Sequence, residues 1–349
     1  MKKIKIAQIG AGHDHAAAAI TTLKLQSDIY DLVGYAVVEG DEQVYESNQW
    51  AYENVREMTV DEILNYPGLD AVCIETEDRR LTEYAVKAAE KGFHIHMDKP
   101  GSVSDEDFDR LIDLVKKKNL VFHTGYMYRY NPAVIQLKED IQAGKLGEIY
   151  AVEAQMNCNH PASKRQWLGS YPGGMLYFLG CHLIDLIYSI CGQPEEIIPL
   201  SMPSGIDGVT AEDIGMVVMR YENGLSFAKT TALEIGGYER RYLTVCGTKG
   251  TVELKPLEWE PENIPDMFSA QTTQVKEAYV QNGHEDWHKR RESHWMPLFG
   301  RYDSMLRAFA SYVRGETKNP YTYEYERGLH KLILKSCGVK NVQGYKVEA

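Results

Sequence analysis

Lys2-Lys3-Ile4-Lys5-Ile6-Ala7-Gln8-Ile9-Gly10-Ala11-Gly12-His13-Asp14-His15 decides the fold of this chain. Basic and apolar residues alternate up to Ile9, the two-residue period of a β-strand. Two glycines then mark a tight turn, and the apolar run from Ala16 to Ile20 opens a helix. A strand, a glycine turn and a helix in this order make the first βα element of a dinucleotide-binding sheet. Gly10 permits the turn, Gly12 lets backbone approach a pyrophosphate, and the helix start offers free N–H groups and a favourable dipole. The expected pyrophosphate site is therefore Gly10, Ala11, Gly12, His13, Asp14 and His15. His15 replaces the third glycine of G-x-G-x-x-G, which ordinarily lets helix and strand pack closely. Taken alone, the stretch leaves open a βα turn that binds nothing.

Outward from this turn, strand and helix continue to alternate. Leu32–Val38 predicts a second strand, Leu69–Ile74 a third, Phe93–Met97 a fourth and Leu120–Thr124 a fifth. Between them, Thr59-x-x-Glu62 is a capping box. Arg80–Lys91 predicts a helix stopped by Gly92. A helix beginning at Ser104 carries Phe108, Leu111, Ile112 and Val115 at helical spacing. Repeated βα units imply a parallel, doubly wound α/β sheet, a Rossmann domain over residues 1–124. After Gly125 the pattern changes. Pro132–Ala143 and Met175–Ile190 predict helices with the strand Glu148–Met156 between them, and strands dominate from Ile197 to Leu254, with Asn223-Gly224 as a hairpin signal. Residues 125–349 thus predict a second α/β domain with an open, largely antiparallel sheet. Residues 256–296 lack periodicity and predict a long loop, and two helices end the chain, near Phe299–Val313 and Tyr323–Cys337.

Composition narrows the function classes. A net charge of −12 over 349 residues argues against nucleic acid or anionic membranes as partners. No run approaches the roughly 18 apolar residues of a membrane span. The N-terminal apolar run is too short and interrupted for a signal peptide. The six cysteines form no C-x-x-C pair, which predicts reduced thiols, no zinc site and a cytoplasmic protein.

Three further segments bear chemistry. His96-Met97-Asp98-Lys99-Pro100 lies at the carboxyl end of a strand, where open α/β sheets bind ligands. Gly125-Tyr126-Met127-Tyr128-Arg129-Tyr130-Asn131-Pro132 lies at the domain junction. Gly173-Gly174 and Gly180-Cys181-His182-Leu183-Ile184-Asp185 lie on the long second-domain helix. With the glycine turn, this ordered set resembles the Gfo/Idh/MocA family of nicotinamide-dependent sugar and cyclitol oxidoreductases. The resemblance implies NAD or NADP in the first domain, and substrate contacts and oligomer interfaces in the second. It maps the family's Glu-Lys-Pro onto Asp98-Lys99-Pro100, with Lys99 reaching nicotinamide and the reacting hydroxyl and Asp98 near the cofactor ribose. It maps the family's acid/base histidine onto His182. An imidazole suits removal of a hydroxyl proton near neutral pH, and an ammonium stabilises the developing alkoxide.

The chain departs from the family pattern in places. An aspartate one turn before the histidine is replaced by Phe178, leaving Asp185 as a possible carboxylate neighbour. The family's Thr-Pro-Asn-His segment reads Thr76-Glu77-Asp78-Arg79, which alters the wall near adenine and ribose. Glu39, past the second strand, would bond a ribose diol and repel a 2′-phosphate, favouring NAD over NADP; the alternative is a solvated turn acid. Substrate contacts are expected from Tyr126, Arg129, Asn157, His160, Arg165, Trp167 and Asp185, each with structural packing as its alternative. His284-Glu285-Asp286-Trp287-His288 spells H-E-x-x-H but sits in an aperiodic stretch, so a loop is expected there and not zinc.

The leading expectation is an NAD-dependent oxidoreductase that moves a hydride between nicotinamide and a secondary hydroxyl or ketone of a sugar, glycoside or cyclitol, working as a homo-oligomer. A glycoside hydrolase using transient oxidation and elimination is the first alternative. A non-enzymatic, ligand-sensing regulator of the same fold is the second.

Overall fold

The computed structural model describes residues 2–260, 272–273, 275–281 and 292–342. They form two compact units. The first holds the chain through Met127 together with Gly300–His330, and the second holds most of the remainder.

The first unit is built on β1 (Ile4–Ile9), β2 (Tyr30–Ala36), β3 (Ala71–Ile74), β4 (His94–Met97) and β5 (Phe122–Thr124). All four pairings are parallel, in the order β2-β1-β3-β4-β5. Connections leave β1 and β3 in opposite directions, so a crevice opens at the carboxyl ends of these two strands. Parallel strands need both faces covered. On one face Ala7, Ile9, Val72, Ile74, Ile95 and Met97 pack with Leu111, Ile112 and Val115. On the other, Ile6, Ala71 and Cys73 pack with Ala19 and Leu23.

Local signals place the covering helices. In Asp105–Lys117 the Ser104 hydroxyl accepts the Asp107 N–H at 3.2 Å, acids fill the first turn and lysines the last. Helix Leu81–Lys91 ends on Gly92 at φ +90°, a left-handed cap that favours glycine. The capping box forms as expected, with Thr59 and Glu62 bonding each other's backbone N–H.

One element crosses the expected domain division. Helix Asp303–Val313 belongs to the first unit. Its Leu306, Phe309 and Ala310 share a core with Ile4, Ile6 and Ala71, and the Tyr30 hydroxyl donates to the Leu306 carbonyl at 2.5 Å. An unbroken second domain over 125–349 therefore does not describe this helix. Its apolar stripe is legible in sequence, but the sheet that it covers lies hundreds of residues earlier.

The second unit carries an eight-stranded sheet. Its order is Glu292–Trp295, Lys276–Gln281, β11 (Gly250–Leu254), β10 (Tyr242–Gly247), β6 (Ile149–Asn157), β9 (Gly224–Thr231), β8 (Ile214–Tyr221) and β7 (Glu196–Pro199). Only the β6–β9 pairing is parallel. Tyr221 pairs with Gly224, so Glu222-Asn223 is the two-residue loop of the β8–β9 hairpin. The predicted long helix opens as a wide π-type turn, Leu176–Gly180, and continues as an α-helix over Cys181–Cys191 against β6 and β9.

The long loop expected over 256–296 is corrected by the two strands Lys276–Gln281 and Glu292–Trp295. The first pairs with β11, Thr251 opposite Val280, and the second pairs with the first. Their pairing is set by a long-range ladder and not by local periodicity. Among the described residues no helix is long and apolar enough to cross a membrane. None of the six cysteines, all among the described residues, is in a disulfide.

Candidate active site

The glycine turn is fixed by close backbone approach. Gly10 has φ +98°, and a Cβ there would meet the Thr76 amide nitrogen at 2.3 Å and the Glu75 carbonyl carbon at 2.6 Å. The N–H groups of Gly12 and His13 both donate to the Glu75 carbonyl, at 3.1 and 3.0 Å. Thr76 is buried at this junction, whereas Asp14 is exposed.

A carboxylate already occupies this cradle. The buried Asp41 accepts the Ala11 N–H at 2.7 Å, the Glu77 N–H at 3.3 Å and the Val38 N–H at 3.4 Å. A Cβ on Gly12 would lie 2.0 Å from an Asp41 carboxylate oxygen. Burial pushes the Asp41 carboxyl up, against the pull of those amides. Amides that hold an anionic oxygen have the chemistry that a dinucleotide pyrophosphate and ribose require, so the residues present fit such a cofactor. Glu39 is exposed, and its carbonyl accepts from Arg80.

The second feature of this crevice is a buried charged cluster around Asp98, at the end of β4. The Lys99 N–H donates to Asp98 Oδ1 at 2.6 Å, and the Lys99 side chain is buried. The Lys99–Pro100 peptide is cis. A Cβ on Gly125 would meet Asp98 Oδ1 at 2.8 Å, so that glycine clears space for the carboxylate. His15 Nδ1 and His13 Nδ1 lie 3.0 and 3.2 Å from Asp98 Oδ2. His13 Nε2 lies 3.5 Å from Asp78.

Burial would raise the Asp98 carboxyl, but His13, His15 and Lys99 together hold it well below the usual carboxylate range. Burial and the Asp98 charge push the Glu75 carboxyl well up. Burial drives His13 down, yet the attraction of Asp98 and Asp78 outweighs it and the net shift is upward. His15 moves the other way, lowered to about 4 by burial. Beneath them His96 is lowered to about 4 by burial and shares a 2.7 Å contact with His123.

In the second unit the long helix buries His182 and Asp185. The His182 ring stands edge-on to Tyr128, with centroids 5.1 Å apart. Asp185 is engaged by Arg129, whose Nε lies 3.0 Å from both carboxylate oxygens and whose Nη2 lies 2.9 Å from one. That guanidinium fork accounts for Asp185 structurally. Asn157 donates to Glu234 at 2.5 Å. Arg165 is buried, ion-paired with Asp213 at 3.1 Å and also with Asp207. Trp167, Phe178 and His160 form an aromatic row, with centroids 5.5 Å apart between Trp167 and Phe178 and 6.5 Å between His160 and Phe178. Phe178 thus faces aromatic neighbours where the family pattern has a carboxylate. Tyr126, in the first unit, is buried.

Family models match a long stretch of each unit. Residues 4–126 match an oxidoreductase family with an NAD-binding Rossmann fold, and residues 134–253 match the Gfo/Idh/MocA C-terminal domain. The chain belongs to the Gfo/Idh/MocA oxidoreductase family. Among this family's members, the chain is 24% identical to myo-inositol 2-dehydrogenase of Thermotoga maritima over 196 residues, 55% of this chain and 58% of that protein. It is 27% identical to levoglucosan dehydrogenase of Pseudarthrobacter phenanthrenivorans over 220 residues, 54% of this chain and 56% of that protein. The chain therefore spans little more than half the length of these relatives. The fold is shared with the crystal structure of KijD10, a 3-ketoreductase from Actinomadura kijaniata in complex with NADP. The TM-score is 0.74 at 16% identity, covering 95% of this chain and 96% of that one.

Within the first unit the structure gathers Gly10, Ala11, Gly12, His13, His15, Thr76, Asp98 and Lys99 at the carboxyl ends of β1, β3 and β4. Glu39 stays outside this cluster. Asp41, Glu75 and Asp78 join it without having been singled out from sequence. Asp41 could have been found as the next acid after Glu39. Glu75 carries no local signal and Asp78 was visible only within the departing Thr76–Arg79 segment, because their roles arise from the approach of β3 to the glycine turn. His284 and His288 lie outside the described residues.

Proposed function

We propose that this Gfo/Idh/MocA chain is an NAD-dependent dehydrogenase or reductase acting on a secondary hydroxyl or ketone of a sugar, glycoside or cyclitol. The observation that carries the reading is the buried Asp98–Lys99 pair at the same strand ends as a glycine turn whose Ala11 amide already holds a carboxylate. When bound, the nicotinamide supplies the acceptor for a hydride from the carbinol carbon. Lys99 holds the substrate oxygen and stabilises its developing negative charge. His182 takes the hydroxyl proton. The Ala11 N–H, exchanging Asp41 for the ligand, and the first helical turn hold the pyrophosphate, with Gly12 leaving room for it. The named substrates of the two dehydrogenase relatives, an inositol and an anhydro-sugar, support a polyol.

The preference for NAD rests on Asp41 and Glu39, two carboxylates that would accept ribose hydroxyls and repel a 2′-phosphate. Arg80, which donates to the Glu39 carbonyl, is the residue that would instead serve NADP. Turnover faster with NADP than with NAD would assign that role to Arg80.

Substrate contacts are assigned to Tyr126, His160 and Trp167, with Arg129, Asn157, Arg165 and Asp185 as the polar frame. The half-buried sheet residues Met216, Val218, Phe227 and Tyr242 suit an interface between copies of this chain. Sedimentation velocity should show a dimer or tetramer, and a monomer at all concentrations would remove that assignment. The function itself is tested by a panel of sugars, glycosides and cyclitols with NAD and NADP, in both directions, at the NADH absorbance. Accumulation of NADH with a polyol is expected. Glycoside cleavage without it would favour the elimination chemistry instead.

A further inference from the structure

Two departures of this sequence from the expected pattern touch each other in space. Position 98 has aspartate where the family motif has glutamate, one methylene shorter. Position 15 has an imidazole where the glycine pattern has hydrogen. His15 Nδ1 lies 3.0 and 3.3 Å from the two Asp98 oxygens, and His13 Nδ1 reaches the same carboxylate at 3.2 Å. His13 continues to Asp78 at 3.5 Å, so carboxylates and imidazoles alternate through the buried cluster.

We infer that His13 and His15 are positioning residues that hold the Asp98 carboxylate in place beside Lys99, with His15 filling the space and making the contact that the shorter aspartate leaves open. The inference rests on the reading in which Asp98–Lys99 meets a bound nicotinamide cofactor.

The surroundings explain why two imidazoles are used. A buried ionised carboxylate requires partners from every side. The glycine turn supplies His13 and His15, and the chain itself supplies Lys99. The segment after β3 brings Glu75 and Asp78, and Cys73 and His96 lie beneath. Burial and the Asp98 charge push the Glu75 carboxyl well up, which disfavours a second charge there. Tyr302 stands edge-on to the His15 ring, centroids 5.7 Å apart, and limits where that ring can go. The nitrogen and oxygen atoms of His13, His15 and Asp98 also lie within 4.8 Å of one another, a spacing a divalent metal could use. A hydrogen bond from His15 and an ion pair with His13 account for the same distances while leaving Lys99 beside the carboxylate, and a dication would repel that ammonium.

The test exchanges the two positions. NADH and NADPH binding is followed by fluorescence in the wild type, Asp98→Glu, His15→Gly and the double variant, with thermal melts to confirm folding. Each single change should weaken binding about tenfold, and the double change should recover most of the loss, because contacting residues couple. His15→Gln, which keeps a donor, should bind close to wild type. The pH profile separates positioning from packing. In His13→Gln the acid limb of cofactor binding should move to higher pH, since Asp98 loses a cationic neighbour. Additive losses in the double variant, or an unmoved acid limb, would overturn the inference. So would stoichiometric zinc uptake that His15→Gly abolishes, which would make the cluster a metal site. If the wild type binds neither NADH nor NADPH, it is the functional reading that fails.

Discussion

Replacing Gly12 separates the steric demand of the glycine turn from its backbone demand. Its φ is not in the left-handed region, so a side chain there meets neighbours and not backbone strain. The added Cβ would lie 2.0 Å from an Asp41 oxygen, where ordinary contact needs about 3.5 Å. The carboxylate must therefore move by about 1.5 Å. That movement breaks its 2.7 Å bond from the Ala11 N–H and its 3.3 Å bond from the Glu77 N–H. A hydrogen bond to a charged group contributes about 1.5–3 kcal/mol. Gly12→Ala should thus lower unfolding free energy by about 2 kcal/mol in urea titrations. Gly12→Val adds two methyl groups where pyrophosphate would approach. Its NADH affinity, measured by fluorescence titration of the folded variant, should fall about 100-fold, equivalent to about 3 kcal/mol. A folded Gly12→Val protein that binds NADH like the wild type would refute the assignment of the pyrophosphate to this turn.

Two other outcomes test the energetics around the site. Arg129→Ala takes the guanidinium fork away from the buried Asp185, which should cost about 3–5 kcal/mol in urea unfolding, whereas Arg129→Met with Asp185→Leu should recover most of it. Recovery failing in the double variant would show that the pair does more than balance its own charges. The pH dependence of stability has a definite sign at His15. Its pKa is lowered to about 4 in the folded chain, against an ordinary 6.5, so the unfolded chain protonates first and stability falls as pH drops from 6.5 toward 4. Glu75, shifted upward, acts in the opposite sense, so the comparison must be with His15→Gln. From pH 6.5 to 5.0 the wild type should lose about 2 kcal/mol more than that variant. Equal losses would contradict the burial of a neutral imidazole there.

The sequence carried the first unit's architecture because its elements announce themselves locally. The glycine turn, the Thr59–Glu62 box, Ser104 and Gly92 each satisfy or end a backbone ladder within a few residues. The strands Lys276–Gln281 and Glu292–Trp295 were not legible, because each exists only through a ladder to a distant strand. The same distinction holds at the site. Lys99 and the glycine turn stand out as motifs. Asp41, Glu75 and Asp78 do not, because Asp41 enters through the turn after β2 and the other two through the end of β3. Arg129 and Asp185 were recognised as important types, but their mutual pairing is a property of the folded helix and could not be seen from spacing. His15 was visible only as a missing glycine, and its contact with Asp98 gives that absence a physical reason.

The central proposal is that Lys99 and His182 are each required when a bound nicotinamide oxidises a substrate hydroxyl. It is tested most directly by a double-mutant cycle in the cofactor-reduction assay, using a polyol that the wild type oxidises. Lys99→Ala and His182→Ala should each lower turnover by about 10²–10⁴-fold while NADH binding persists. Their combined loss should be smaller than the product of the single losses, since groups that work as a unit are not additive. Wild-type turnover in Lys99→Ala, or losses that simply multiply, would contradict the account.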